Sequence, residues 1–246
     1  MQKPKVLVIT LTNGENEFDE CVSSIKSQKN VDIEHIIISG KNEFEAHKEF
    51  GSTWNARRNE FDNLVKIDAD SILMTDKALS NVVKLFEINN VTGVQIRILD
   101  YFSNSLIPGI NAFSNKVKFI TPRYKLYPDH SDVGHQIVLK GESVQFLEPI
   151  AWHCKYPSNR QSFFFGYRRR LKNQQDILAR VAKEWLANLD DPRKWALIGS
   201  YSAEHKQFKK FRFSSYRVDQ YFNNNLTKEP ELSNIIIYAQ DLASRN

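Results

Sequence analysis

The sequence predicts an α/β protein with a mostly parallel sheet flanked by helices, followed by a helical C-terminal extension. Between Lys5 and Leu99, short apolar runs alternate with stretches whose apolar residues recur every three or four positions. Strands that alternate with helices in this way need crossover connections, which place successive strands parallel to one another. After Gln174 the sequence shows only the helical period.

The predicted elements follow one another closely along the first half of the chain. The predicted strands are 5–10, 33–39, 63–70 and 91–99. A first helix carries Phe18, Cys21, Val22 and Ile25 on one face, and a second helix follows Thr75 or Asp76 as its N-cap. Sheets of this kind are covered on both faces and collect ligands beyond the carboxyl ends of their strands.

The pattern is looser beyond Leu99. Short strands are predicted at 107–113 and 116–122, a helix at 132–140 and a strand at 143–153. An apolar stripe then runs through Ile177, Leu178, Val181, Ala182, Trp185, Leu186 and Leu189, and it predicts a packing surface. We expect an α/β core domain at 1–160 and a basic, aromatic helical extension at 161–246 that packs on the core.

Composition restricts the class of protein. The chain has 246 residues and a formal net charge of +5, and this charge favours anionic partners. The amino-acid composition shows no bias towards disorder or a fibre. Two cysteines do not form a disulfide framework, and no apolar run approaches the roughly 20 residues of a membrane span. We expect a cytoplasmic protein in a reducing compartment.

The stretch "NLVKIDADSILM" places Asp68 and Asp70 at the end of a strand of buried type. Two close carboxylates repel each other, and burial raises the cost of ionising them. A hard divalent cation such as Mn²⁺ or Mg²⁺ would relieve that repulsion and bridge the carboxylates to phosphate oxygens. The alternative is that Asp70 caps the following helix and Asp68 accepts backbone hydrogen bonds.

The order of several motifs resembles the GT-A glycosyltransferases, and most closely the inverting family 2. The chain has a first strand, a polar loop with Asn13, a helix ending in "SSIKSQ", then "NARRN" and "KIDADSIL". Further on, Asp129, Asp132, Gly141 and His153 stand where the family shows Glu-Asp-x-Asp-Leu, a glycine and a closing histidine. The resemblance covers most of Lys5 to His153.

This resemblance implies a Rossmann-like nucleotide-diphospho-sugar transferase that moves a sugar from a nucleotide-diphosphate-sugar donor to a glycan or lipid-linked glycan acceptor. Asp68 and Asp70 would hold Mn²⁺ or Mg²⁺ on the donor diphosphate. The remaining donor contacts would come from Thr10, Thr12, Asn13 and Arg57 or Arg58. For each of these, an ordinary loop, capping or surface role is the alternative.

An inverting transfer also needs a general base. Asp129 and Asp132 are the candidates, with Asp132 also placed to cap a helix, and His130 is a third because its pKa suits proton transfer near neutral pH. His153 would be either a third metal ligand or a hydrogen-bonded residue at a strand end. Two departures from the family pattern stand out. "SGKN" (39–42) replaces the usual acidic motif that contacts the base, and His130 replaces an acid.

Two segments, "NRQSFFFGYRRRLKNQ" (159–174) and "HKQFKKFRFSSYR" (205–217), interleave aromatic and basic residues. They would suit single-stranded nucleic acid, an anionic membrane surface, or a solvated helix face anchored by buried aromatic residues. Among the binding roles we favour peripheral membrane contact at the inner face and expect no nucleic acid. The rival functions are a sugar-phosphate nucleotidyltransferase, whose glycine-rich loop the chain lacks, and a nucleic-acid-binding module.

Overall fold

The computed structural model describes residues 3–88, 90–119, 142–205, 223 and 232–245. The strands are β1 (Lys5–Thr12), β2 (Asp32–Ser39), β3 (Asn63–Asp68), β4 (Ser71–Leu73), β5 (Val91–Asp100), β6 (Ser105–Ser114), β7 (Glu142–Phe146) and β8 (Ala151–His153). The helices are α1 (Phe18–Lys26), α2 (Glu43–Arg57), α3 (Ala78–Val83), α4 (Asn159–Leu171), α5 (Gln175–Asn188), α6 (Asp191–His205) and α7 (Leu232–Ser244). A short 3-10 helix, Lys84–Glu87, continues α3.

The described strands form one sheet in the order β2-β1-β3-β6-β5-β8-β4, with β7 paired to β5. Strands β2, β1 and β3 are parallel, and so are β5 and β7, whereas β3–β6 and β4–β8 are antiparallel. The predicted class, a mostly parallel sheet flanked by helices, is confirmed. The antiparallel pairs are an addition that the crossover argument does not predict.

The apolar residues of β1 and β3 are buried on both faces of the sheet. On one face, α2 packs Phe50 and Trp54 against Leu7, Ile9 and Leu64. Cys21 and Ile25 of α1 are fully buried, as the helical period predicts. This core fixes the register of β1 and β3, and therefore the position at which both strands end.

The chain divides into two compact units. The first comprises residues 1–99 and 106–155, and the second comprises residues 100–105 and 156–246. In the second unit, α4 and α6 cross at two glycines, Gly166 and Gly199, where each backbone lies against the other helix. The boundary at residue 160 that the sequence suggests stays a prediction.

Two sequence-based expectations about helices are wrong. Lys77, not Thr75 or Asp76, precedes α3, and the Lys77 side chain makes no capping hydrogen bond. Leu189 does not belong to the packed stripe, because it ends α5 in the left-handed conformation (φ 53°) and is 67% exposed. Most of the stripe is buried as expected, including Ile177, Val181 and Trp185.

Candidate functional site

The candidate site lies where β1 and β3 end side by side. Leu11 is opposite Asp68 in the parallel register, and the Ala69 amide donates to the Leu11 carbonyl at 3.2 Å. The chain turns at Ala69 and Asp70 and enters β4 directly. Polar side chains that follow two neighbouring parallel strands therefore meet at one edge of the sheet, where α/β proteins bind ligands.

Asp68 already has a positively charged partner. Lys66 Nζ lies 2.7 Å and 2.9 Å from the two oxygens of the Asp68 carboxylate. Residues two apart on a strand project to the same face, so β3 itself brings these side chains together. The charge that the sequence led us to expect beside Asp68 is thus supplied, at least in part, by a lysine.

Asp70 belongs to a different cluster, with His153 and Cys154. Asp70 Oδ2 lies 3.5 Å from His153 Nε2 and 3.6 Å from Cys154 Sγ, and Sγ lies 3.5 Å from Nε2. Among the described residues, the group of acid, histidine and cysteine side chains close enough to hold a metal ion consists of these three. Asp70 does not cap a helix, so that alternative reading of its role is wrong.

Backbone pairing builds this cluster from distant parts of the chain. In the antiparallel β4–β8 pair, Ser71 is opposite His153, and the Cys154 amide donates to the Asp70 carbonyl at 2.8 Å. Cys154 adopts φ 51°, in the left-handed region that residues other than glycine seldom occupy. Such a conformation persists only where the surroundings enforce it, and it often marks a functional site.

Electrostatics favour a carboxylate at Asp70 and a thiol at Cys154. Burial acts to raise the pKa of Asp70, but attraction to His153, hydrogen bonds from His153 and Cys154, and Lys66 together lower that pKa to about 2. Burial raises the pKa of the Cys154 thiol far above its ordinary value, and His153 opposes this only in part. Without a metal ion, the cluster holds an ionised acid beside a protonated thiol.

The donor atoms fit Mn²⁺ better than Mg²⁺. Asp70 offers an oxygen and His153 a nitrogen, and imidazole suits first-row transition metals, whereas Mg²⁺ prefers oxygen ligands and water. Asp70 and His153 are thus the residues that would hold the divalent ion implied by the sequence motifs. In the described residues, Asp68 is not brought into this cluster.

The loop after β1 is closed by Glu15. The Thr12 hydroxyl and the Asn13 backbone amide both donate to Glu15 Oε2, at 2.7 Å and 2.8 Å. The Gly14 backbone amide donates to Thr12 Oγ1 at 3.1 Å. Thr10 is fully buried and shares a 2.9 Å hydrogen bond with His35 Nε2. The loop stands at the same edge as Asp68, and the nucleotide contacts predicted for Thr10, Thr12 and Asn13 stay predictions.

The two arginines of "NARRN" lie elsewhere. Arg57 forms ion pairs with Glu34 and Glu60, and Glu34 is opposite Leu7, towards the amino end of the parallel strands. Arg58 donates to the Asn115 carbonyl at 2.9 Å. The structure therefore does not bring Arg57 to the Asp70 cluster.

The three candidate general bases, Asp129, Asp132 and His130, lie outside the described residues, as do Gly141 and most of the second basic segment (206–217).

The first basic segment is α4, and its aromatic residues face inwards. Phe163, Phe164, Phe165 and Tyr167 are buried, and Arg160, Arg168 and Arg169 stack over the rings of Phe164 and Phe165. These rings are not available at the surface to stack on bases or to enter a membrane interface. In the described residues, no helix combines the length and apolarity that a membrane crossing requires.

Sequence reasoning missed Cys154 and Lys66. The signal for Cys154 was its position directly after His153, at the end of a strand. The signal for Lys66 was its position two residues before Asp68 on a predicted strand, which places both side chains on one face. Trp152, directly before His153, is 39% exposed.

Comparison with known proteins gives weak likenesses. No family model matches the chain, and no curated protein does. One similar structure is a mannosyltransferase from Pyrobaculum calidifontis, solved in complex with GDP-Man and Mn²⁺. The match covers 100% of this chain and 87% of the mannosyltransferase, at 13% identity and a TM-score of 0.44.

Two further solved structures show the range of the neighbours. A glycosyltransferase involved in glycosylation of the major capsid of PBCV-1 covers 63% of this chain and 95% of its own, at 10% identity and a TM-score of 0.42. A cytidylyltransferase from Leptospira borgpetersenii covers 94% of this chain and 98% of its own, at 9% identity and a TM-score of 0.36. Scores below 0.5 do not assign an activity.

Proposed function

We propose that this chain is a metal-dependent glycosyltransferase of the GT-A type that moves a sugar from a nucleotide-diphosphate-sugar donor to an acceptor hydroxyl. The observation that carries the proposal is that Asp70 and His153, predicted from their positions in the motif order, have their side-chain atoms 3.5 Å apart at a strand-end edge. A carboxylate and an imidazole so placed suit a divalent ion that also binds phosphate oxygens.

Each residue of the edge has a task in this proposal. Asp70 and His153 would hold the ion, and a bound divalent ion would offset the negative charge that develops on the departing diphosphate. The Lys66–Asp68 pair holds the first aspartate beside the Thr12–Gly14 loop, where its side-chain oxygens can accept hydrogen bonds from the donor. Asp129 or Asp132 would remove the proton of the acceptor hydroxyl as its oxygen attacks the anomeric carbon, and the nucleoside diphosphate would leave from the opposite face, so that this single displacement inverts the carbon.

The acceptor class follows only from the sequence resemblance. We propose a glycan or lipid-linked glycan acceptor, as in surface polysaccharide or lipopolysaccharide synthesis, with peripheral contact to a membrane. Arg160, at the start of α4, is exposed and stacks over Phe164, whereas the aromatic rings of the helix are buried.

The test is thermal stabilisation of the full chain by a panel of nucleoside diphosphates, with and without Mn²⁺. We expect one diphosphate to raise the melting temperature only when Mn²⁺ is present, and Asp70→Ala to abolish that rise. Asp76→Ala is the matched control, because Asp76 pairs with Lys29 at the surface and is outside the cluster.

Two results would contradict the proposal. One is stabilisation by a nucleoside triphosphate with release of pyrophosphate from triphosphate and sugar phosphate, which would identify a nucleotidyltransferase. The other is stabilisation by oligonucleotides alone.

A further inference from the structure

The three side chains of the Asp70 cluster form a nearly equilateral triangle of ligand atoms. The separations are 3.5 Å for Oδ2–Nε2, 3.6 Å for Oδ2–Sγ and 3.5 Å for Sγ–Nε2. The three atoms are a carboxylate oxygen, an imidazole nitrogen and a thiol sulfur, the ligand types found in transition-metal sites. The sequence motifs pointed to oxygen ligands and His153, and they assigned no role to the cysteine.

The size of this triangle matches one face of a tetrahedral site. With metal bonds of about 2.0–2.2 Å to oxygen and nitrogen and about 2.3 Å to sulfur, tetrahedral angles separate the ligand atoms by about 3.3–3.7 Å. Right angles, as in octahedral coordination, would give about 2.8–3.2 Å for the same bond lengths. The observed separations therefore agree with tetrahedral coordination in which three positions come from described residues and the fourth is left for another ligand.

The triangle is held by backbone rather than by flexible side chains. Ser71, next to Asp70, is paired with His153 across β4 and β8. The Cys154 backbone amide donates a 2.8 Å hydrogen bond to the Asp70 carbonyl. Cys154 is 3% exposed, and its left-handed backbone at φ 51° carries a conformational cost that an ordinary buried cysteine would not require. Ligands fixed in this way need little rearrangement to bind an ion.

We propose that Cys154 Sγ is a metal ligand and that the Asp70–His153–Cys154 site selects a borderline-soft divalent transition-metal ion, of the zinc and cobalt class, over Mg²⁺. Sulfur ligands favour such ions, and Mg²⁺ is bound by oxygen. The thiol binds as thiolate, so each ion that enters displaces one proton from sulfur to solvent. That an oxygen of the donor diphosphate fills the fourth position rests on the proposed function.

The test is titration of the metal-free full chain with Co²⁺, followed by absorption spectroscopy. The wild-type chain should show the sulfur-to-cobalt charge-transfer band in the near ultraviolet together with the intense visible bands of tetrahedral cobalt. Zn²⁺ should abolish both, and excess Mg²⁺ should leave them unchanged. Cobalt binding without the charge-transfer band, or no cobalt binding, overturns the proposal on the wild-type chain alone.

Variants then show which cysteine supplies the sulfur ligand. Cys154→Ser should lose the charge-transfer band and bind Co²⁺ more than about 100-fold more weakly, because loss of even an outer-shell partner typically costs about 10- to 100-fold. Cys21→Ala is the matched control, since Cys21 is the other buried cysteine and lies outside the cluster, and it should retain the band. A band that persists in Cys154→Ser would show that another group supplies the sulfur signal and would overturn the assignment.

The failure of this inference can be told apart from the failure of the proposed function. Suppose that the wild-type chain forms no sulfur-to-cobalt band, and that Mn²⁺-dependent stabilisation by a nucleoside diphosphate survives in Cys154→Ser. The sulfur ligand is then wrong and the transferase proposal stands. If the sulfur band forms but no nucleoside diphosphate binds, the metal site stands and the transferase is wrong.

Discussion

Lys66 and Asp68 form an ion pair on one face of β3, with the lysine nitrogen 2.7 Å from one carboxylate oxygen. The second aspartate of the motif, Asp70, turns instead to His153 and Cys154. Two aspartates separated by a single alanine therefore have different partners and should have different roles.

The first prediction follows from this difference. Asp70→Ala should weaken Mn²⁺ binding by more than about 100-fold because it removes a ligand, whereas Asp68→Asn should weaken it by less than about tenfold. Equilibrium dialysis of both variants checks this, with circular dichroism melting to confirm that each is folded. An equal loss in the two variants would show that Asp68 is also a ligand and that Lys66 does not replace the ion.

The second prediction concerns Asn55, in the "NARRN" motif. Its side chain donates to the Phe119 carbonyl at 2.7 Å and accepts from the Phe119 amide at 2.9 Å, so it ties α2 to the end of the segment that follows β6. Asn55→Ala should lower the free energy of unfolding by about 1–3 kcal/mol because it leaves both backbone groups without this partner. Urea denaturation measures the change.

The control for Asn55 is Asn81→Ala, at an exposed position of α3. A change within about 0.5 kcal/mol is expected there, as for most surface substitutions. A similarly small change for Asn55→Ala would mean that water replaces the asparagine without cost.

The third prediction is a pH dependence of stability from His35. Burial, reinforced by repulsion from Lys26, lowers the pKa of His35 below its ordinary value of 6.5. The unfolded chain therefore binds a proton at a higher pH than the folded chain, and protonation favours unfolding. The contribution of His35 to stability is complete above about pH 6.5 and is lost as the pH falls below that value.

The measurement compares the wild-type chain with His35→Gln in urea titrations at several pH values between neutral and mildly acidic. Gln cannot titrate and keeps a polar group near Thr10. The difference in unfolding free energy between the two proteins should shrink or reverse in favour of the variant as the pH falls. A difference that does not vary with pH would show that His35 titrates normally in the folded state.

The fourth prediction concerns the crossing of α4 and α6. A Cβ on Gly166 would lie 1.7 Å from the Ala196 carbonyl oxygen, and a Cβ on Gly199 would lie 2.0 Å from the Phe163 carbonyl oxygen. The obstructing atoms are backbone, so the helices themselves would have to separate. Gly166→Ala or Gly199→Ala should destabilise the chain by about 3 kcal/mol or more, at the upper end for overpacked cores.

Gly51→Ala, in α2, is the matched control for these substitutions. Among the described residues, its Cβ would meet the Phe119 side chain, at 3.4 Å, which is ordinary contact. Alanine is favoured over glycine in a helix by about 1 kcal/mol, so the net change should be small or stabilising. Thermal melts of the three variants side by side distinguish a packing effect from a general intolerance of alanine.

Much of the secondary structure could be predicted because its signal is local. The buried runs of β1 and β3 and the spacing of Cys21 and Ile25 on α1 reflect neighbours within a few residues of each other. Helix α2 was not predicted, since its buried residues, including Phe50 and Trp54, are separated by glycine, serine and threonine of low helix propensity. The antiparallel pairing of β4 with β8 has no local signal at all.

The sequence alone is enough to predict that two aspartates stand at the end of a buried strand and that a histidine ends a later one. Which of these side chains contact one another depends on how the strands pair. Cys154 and Asp70 are 84 positions apart, and the β4–β8 register places their side chains within 3.6 Å of each other. Asp68 forms its ion pair with Lys66 instead. Hydrophobic periodicity along the chain specifies which face of a helix or strand is buried. The side chains that meet at a sheet edge depend instead on strand order and register, because these are set by packing across the whole sheet.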